Sequence, residues 1–483
     1  VRHAFADEDP LPYTSIPHRL DALPWSRWHW RVVAALGITW MLDGLEVTVV
    51  GALGPTLERA DTLGLTATEV GLTASAYIGG AVLGALYFGR LADRLGRKKL
   101  FLVTLAVYLA ATVATAFTWS FASFAVCRFF TGFGIGGEYA AINSAIDELI
   151  PARVRGRVSL AINGSFWVGA ALGAALSLVV LDARVLAPDI GWRLAFALGA
   201  VLGFAILLVR RHVPESPRWL ITHGHAERAE REMQLIEAAV AREHGPLPVI
   251  GRTTAVGMRP PPTLGEIVRT LVRHHRRRAA LGFSLMVAQA FFYNAIAFTY
   301  ALVLTRFYDV AEARVGLYIL PFAAGNFLGP VLLGPLFDRI GRRVMIAATY
   351  ALSGVLLLAT GYAFMLGWLD ATTQTLAWSA VFFLASAAAS SAYLTVSEIF
   401  PLEMRALAIS VFYAIGTGAG GFVAPAVFGA LIQSGSREAV FAGYALGAAL
   451  VIAAAVVAAW LGVNAERRAL EDVAPPMTGG ARE

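Results

Sequence analysis

Cysteine is almost missing from this chain of 483 residues, which has one, Cys127. That excludes an internal disulfide framework and a cysteine-based zinc cluster. Charge is scarce too, at 15% of residues against 57% hydrophobic, and a soluble protein of this length would need more charge to stay solvated. No nucleophile motif, metal cluster or phosphate-binding loop stands out, so neither catalytic nor metal-ligating residues are assigned and no cofactor is expected. A cleavable leader pattern is also lacking. The first 24 residues are polar and proline-rich, and His18 to Arg31 reads as a basic amphipathic stretch entering the first apolar segment.

What fills the chain instead is a succession of apolar stretches, each near the roughly 20 residues that a bilayer core requires. Only helices satisfy their own backbone there without a closed barrel, and 47 glycines suit close packing of helices in lipid. Spans are expected at 32–52, 69–90, 99–117, 121–145, 158–181 and 192–212, then at 279–305, 313–335, 344–367, 373–396, 407–432 and 437–463. The expected class is therefore an all-α membrane protein of twelve transmembrane helices. Its parts are a segment 1–31, a six-helix half 32–212, a polar linker 213–278 with a short surface helix near 225–243, a second half 279–463, and a tail 464–483.

The isoelectric point near 9.5 would fit a nucleic-acid binder, but the positive charge sits in loops beside apolar spans. Membrane orientation explains it better, and no nucleic-acid partner is expected. With both termini cytoplasmic, the outer loops hold only Arg59, Arg184, Arg193, Arg306, Arg314 and Arg437 of 39 basic residues, and Arg128 lies within a span. The chain also repeats itself. Gly89-Arg-Leu-Ala-Asp-Arg-Leu-Gly-Arg-Lys98 returns as Gly334-Pro-Leu-Phe-Asp-Arg-Ile-Gly-Arg-Arg343, an offset of 245. Glu148-Leu-Ile-Pro-Ala-Arg-Val-Arg-Gly156 returns as Glu398-Ile-Phe-Pro-Leu-Glu-Met-Arg-Ala406, an offset of 250. Two motifs in one order at nearly one offset mean two homologous halves, a known transporter design.

These loops resemble the signature loops of the major facilitator superfamily. Pro214-Glu-Ser-Pro-Arg-Trp-Leu220 is similar to the marker of its sugar-porter and organic-ion branch. The resemblance implies two pseudo-symmetric six-helix halves and a cytoplasmic gate of Asp93, Arg94, Arg97, Glu148 and Arg155 in the first half. In the second half the matching residues are Asp338, Arg339, Arg342, Glu398 and Arg405. Each half is expected to be locked internally, Glu148 with Arg97 and Arg155, and Glu398 with Arg342 and Arg405. Asp93 and Asp338 should meet the N-terminal donors of neighbouring helices. The plainer alternative is that the arginines only set topology. Ala406 stands where the first half has Gly156, so the second turn is expected to be looser.

Ionisable residues within spans are functional hypotheses, because an uncompensated charge there costs at least about 2.5 kcal/mol. Asp43 and Glu46, three residues apart, share one face of span 1; Arg128 and Glu138 lie on span 4. In the resembled family an acid of span 1 faces an arginine of span 4, and Glu46 matches that acid. This gives a proton switch of Asp43, Glu46 and Arg128, with Glu138 a cavity wall or a structural partner. The alternative is a permanent ion pair that only positions two helices.

The substrate site implied by family register comprises Arg128, Asn163, Trp167, Gln289, Tyr293, Asn294, Asn326, Tyr393 and Tyr413. Any of its aromatics could equally be packing, and Asn326 could be glue between helices. Few polar groups and many rings favour a proton-coupled transporter of a small organic acid, conceivably aromatic, over a sugar or polyol symporter on the same fold. A transporter-like receptor that does not cycle is a remoter alternative. The expected partners are the substrate, protons and the lipid bilayer, with the chain monomeric in the inner membrane. Cysteine labels at Gly224 and near Gly479 should react from the cytoplasm and one near Asp61 from the periplasm; outside labelling of Gly224 would invert the orientation and relocate both gates.

Overall fold

Ser26 begins the first long helix. Its backbone N–H donates to His29 Nδ1 at 3.2 Å, closing a capping arrangement that satisfies donors at the helix start. Span 1 therefore runs Arg27–Glu58, starting earlier than hydropathy indicated because its first turn, with Trp28, Trp30 and Arg31, is helical without being wholly apolar.

The computed structural model describes residues 13–65, 67–180, 185–210, 214–255, 264–297, 300–310, 312–401 and 405–474. In the first half spans 2, 3, 4 and 6 are Ala67–Leu95, Arg97–Thr115, Phe121–Leu149 and Pro188–Arg210. Span 5 is two helices, Arg155–Gly164 and Phe166–Val180. Ser165 separates them, its Oγ 2.9 Å from the Gly37 carbonyl of span 1. Span 7 is described over Arg276–Ala297 and Tyr300–Tyr308. Spans 8 to 12 are Glu312–Arg339, Arg342–Met365, Ala371–Glu398, Arg405–Gln433 and Arg437–Leu461. Among the described residues, nine segments are by length and composition able to cross a membrane.

Packing follows the repeat. Span 2 lies against span 4 and span 8 against span 10, while span 1 lies against span 5 and span 7 against span 11. The halves meet where span 11 packs on span 2 and span 5 on span 8, pairs that the internal offset interchanges. Outside the spans, Ile16–Ala22, Pro217–Thr222 and Ala226–His244 share a core of Ile16, Leu20, Trp219, Met233 and Ile236. The linker helix is thus no free surface helix; one face is committed to the residues that precede span 1. A two-residue antiparallel ladder ties Tyr13–Thr14 to Thr254–Ala255.

Spans 1 and 5 approach until backbone meets backbone. A Cβ on Gly44 would run into the Phe166 carbonyl, and one on Gly169 into the Met41 carbonyl. Only a missing side chain allows that contact. Gly169→Val should therefore force the helices apart at a cost of about 1–3 kcal/mol, read as a lower melting temperature of the purified protein. Gly79→Ala, where a Cβ meets nothing within 4 Å, should leave it unchanged.

Candidate functional site

Four ionisable side chains are buried within spans 1 and 4: Asp43, Glu46, Arg128 and Glu138 are each 2–4% exposed. Arg128 Nη1 donates to Glu46 Oε1, and its guanidinium lies over the Tyr77 ring, 4.7 Å from the centroid. Thr112 Oγ1 of span 3 donates to the other Glu46 oxygen at 3.4 Å. Asp43 is held differently. Tyr77 donates to Oδ1 at 3.1 Å and Tyr139 to Oδ2 at 2.8 Å. One acid thus has a cation for a partner and the other has two phenols, although both sit on one face of span 1. Glu138 lines a water-sized cavity with Asp43, Thr39, Trp40, Ile135, Tyr139 and Ile142.

Above Asp43 the two halves close on each other through rings. Tyr139 stacks on Tyr413 with centroids 4.4 Å apart. Trp40 meets the edge of Tyr139 at 4.5 Å and of Tyr393 at 6.3 Å. Gln289 lies at the Tyr393 hydroxyl. A second contact between halves joins Trp167 to Tyr293 at 6.0 Å and to Phe322 at 5.5 Å. The asparagines are committed locally. Asn163, Asn294 and Asn326 donate to the carbonyls of Ser159, Ala290 and Phe322, each four residues back on its own helix. Asn326 also accepts from the Tyr293 hydroxyl at 2.7 Å, whereas Asn163 Oδ1 is buried without a hydrogen bond.

The repeated loops form a lock that keeps one expected pair and departs from others. Arg342 does pair with Glu398, at 2.9 and 3.0 Å. Arg155, expected on Glu148, instead reaches across to Glu398 of the other half at 3.7 Å. It also contacts Asp21 at 3.4 Å and the Arg468 carbonyl at 3.4 Å. Arg405, expected on Glu398, donates to the Phe400 carbonyl and lies among Asp147 and Glu148 of the first half. Part of the pairing therefore crosses between halves, because in this closed arrangement Glu398 lies within reach of Arg155 as well as of Arg342. Asp338 makes the same crossing. It accepts the Gly156 and Arg157 N–H groups at the start of span 5, at 3.1 and 2.8 Å, and binds Arg342 Nη1 at 2.8 Å. A Cβ on Gly156 would strike Arg342 Nη1 and Asp338 Oδ1, so a side chain there would displace the pair. Arg94 and Arg339 are exposed. The side chains of Asp93, Arg97 and Ala406 lie outside the described residues.

Sequence reading missed several participants. Tyr77, Tyr139 and Trp40 are indistinguishable in sequence from packing aromatics. Asp21 accepts from Ala152 N–H at 2.9 Å and pairs with Arg218 at 3.0 Å. Burial pulls the Arg218 pKa down, but Glu471, Asp21 and Glu148 around it raise it on balance. A signal did exist for Glu215 and Glu466. They stand 251 apart, matching the repeat, and each accepts N–H groups at the start of a span: Lys98 at 3.3 and 3.4 Å for Glu215, Arg342 at 3.3 Å for Glu466.

Comparison with known proteins adds the following. A family model described as sugar (and other) transporter matches residues 28–473. The niacin transporter NiaP of Acinetobacter baylyi is 28% identical over 462 residues, covering 94% of this chain and 98% of that one. Myo-inositol transporter 2 of Schizosaccharomyces pombe is 29% identical over 87% of this chain and 77% of its own. Among solved structures, the proton:xylose symporter XylE from E. coli superposes with a TM-score of 0.76 at 18% identity, over 92% of this chain and 98% of that chain.

Glu398 holds an arginine from each half, so its loss should open the motif face. Glu398→Gln removes the carboxylate that Arg342 and Arg155 share, leaving Asp338 and Asp21 to compensate them, a disruption of up to about 3–5 kcal/mol. Cysteine probes beside span 5 should become accessible from the motif side, while ligand binding persists in the variant. Unchanged accessibility would mean that the crossing pairs do not hold the halves together.

Proposed function

Since the chain belongs to the sugar (and other) transporter family of the major facilitator fold, and is a multi-pass membrane transporter and not an enzyme, we propose that it is a proton-coupled symporter of a small planar organic acid. The observation that carries this reading is the juxtaposition of Asp43, Glu46 and Arg128 with an aromatic seam between the halves. Intramembrane acids facing the bundle interior mark proton and ion pathways. Protonating Glu46 would release Arg128, a planar cation suited to a carboxylate. Asp43, bound only to hydroxyls, has no cation to lose. Coupled uptake follows if the substrate anion takes the arginine that a proton on Glu46 has released, so that both cross together.

The seam supports a flat ring over a polyol. Each sugar hydroxyl buried without a partner costs about 1–3 kcal/mol, and Asn163, Asn294 and Asn326 each spend one of two amide donors on their own helices. Tyr139, Tyr393, Tyr413, Trp40 and Trp167 offer stacking faces instead. Niacin, the named substrate of the bacterial relative, is an acid of this type. The second reading, a sugar or polyol:proton symporter, draws on the myo-inositol relative and on Gln289 and Asn294 in span 7. We place the motif face and both termini in the cytoplasm of a cell with this transporter in its inner membrane, in keeping with the arginine bias.

Proteoliposomes with an imposed pH gradient test the reading. Nicotinate and benzoate should accumulate against their gradient, and Glu46→Gln should abolish accumulation while keeping counterflow exchange. Robust accumulation of xylose or myo-inositol, uncompeted by either acid, would put the polyol reading in its place.

A further inference from the structure

Resting on the proton-coupled reading, we propose that Tyr139 is the positioning residue that makes closure of the two halves depend on the charge of Asp43. Its hydroxyl is 2.8 Å from Asp43 Oδ2, within the first half. Its ring stacks on Tyr413 of the second half at 4.4 Å and 24°, is parallel to Tyr393 at 6.2 Å and 18°, and meets the edge of Trp40. One side chain thus reads the acid and forms the seam. The other phenol on Asp43, Tyr77, carries Arg128 over its ring and belongs to the Glu46–Arg128 pair. Asp43 therefore stands between two arms, one ending on the buried cation and the other on the opposite half.

An ionised carboxylate accepts both hydroxyls and fixes both rings. A proton on Asp43 removes the charge that orients them and turns one oxygen from acceptor into donor. Tyr139 then exchanges a charge-assisted bond for a weaker neutral one, and its ring parts more readily from Tyr413 as spans 4 and 11 separate. The charged groups around Asp43 are Glu46 on its own helix and Glu138 and Arg128 on span 4. Among the described residues the remaining titratable neighbours are phenols: Tyr77 on span 2, Tyr108 on span 3, Tyr139 on span 4, and Tyr393 and Tyr413 on spans 10 and 11. Phenols ordinarily titrate near pH 10 and arginine above it, so neither changes charge between pH 5 and 8. Because Tyr139→Phe keeps the ring and its stacking, it isolates the hydroxyl.

The test needs no substrate. In a Cys127→Ser background, Asp61→Cys and Trp368→Cys carry spin labels on the face opposite the motifs, one in each half. Pulsed electron resonance then gives the distance between halves from pH 5 to pH 8. The parent should redistribute with pH. Tyr139→Phe and Asp43→Asn should each reduce that pH response at least tenfold, and Tyr139→Phe should add nothing in the Asp43→Asn background, as coupled residues require. A parent that ignores pH, a Tyr139→Phe response equal to the parent's, or an additive double variant would each overturn the proposal. Failure of nicotinate and benzoate to accumulate, with the pH response intact and lost in Tyr139→Phe, would sink the substrate reading alone and leave Tyr139 as the link.

Discussion

A charge buried in an apolar helix bundle has to be compensated by something fixed in place, and Arg128 is where this chain meets that requirement. An arginine cannot shed its proton within any ordinary range, so span 4 tolerates it only because Glu46 of span 1 supplies a carboxylate. That one pairing fixes the register of spans 1 and 4 and places Asp43 three residues away, against Tyr77 and Tyr139. The close passage of span 1 along span 5, permitted by Gly44 and Gly169, then brings Trp40 to the same level as the seam. Pair, phenols and seam form one contiguous polar-to-aromatic gradient from the interior of the first half to the boundary with the second.

The same rule of compensation operates on the motif face with a different outcome. There the arginines and acids are arranged so that much of the pairing crosses between halves: Arg155 with Glu398, Asp338 with the start of span 5, Arg405 beside Asp147 and Glu148. Charges satisfied by the opposite half stabilise the closed face and no other arrangement of the same halves. The residues before span 1 and after span 12 add to this, since Asp21 and Glu471 both bind Arg218. Losing a partner from so dry a network leaves a buried charge, which makes the face two-state and not gradually deformable.

Much was legible in the sequence, for identifiable reasons. Hydropathy and arginine placement respond to the bilayer alone, so spans could be counted without knowing their neighbours. The offset repeat of Asp93 and Asp338, and of Glu148 and Glu398, reported two halves because duplication preserves spacing. Buried acids and an arginine in spans 1 and 4 announced themselves because such residues are costly in lipid. The 251-residue spacing of Glu215 and Glu466 was equally readable.

Partner choice was not. Sequence spacing places Arg155 close to Glu148, seven residues away, and only the apposition of the halves puts Glu398 within reach instead. Asn163, Asn294 and Asn326 could be named as polar groups in spans, but a short amide can turn back to the carbonyl four residues before it or reach a ligand, and the surroundings select which. Tyr139 looked like any other ring on a membrane helix; its hydroxyl matters because Asp43 lies 2.8 Å away on a helix 96 residues earlier. The sequence by itself determined the membrane class, the twofold plan and which charges lie buried, since those depend on local composition against lipid. The tertiary structure decided which acid meets which arginine and which ring closes the seam, since hydrogen bonds and ion pairs act over a few ångströms between segments that only folding brings together.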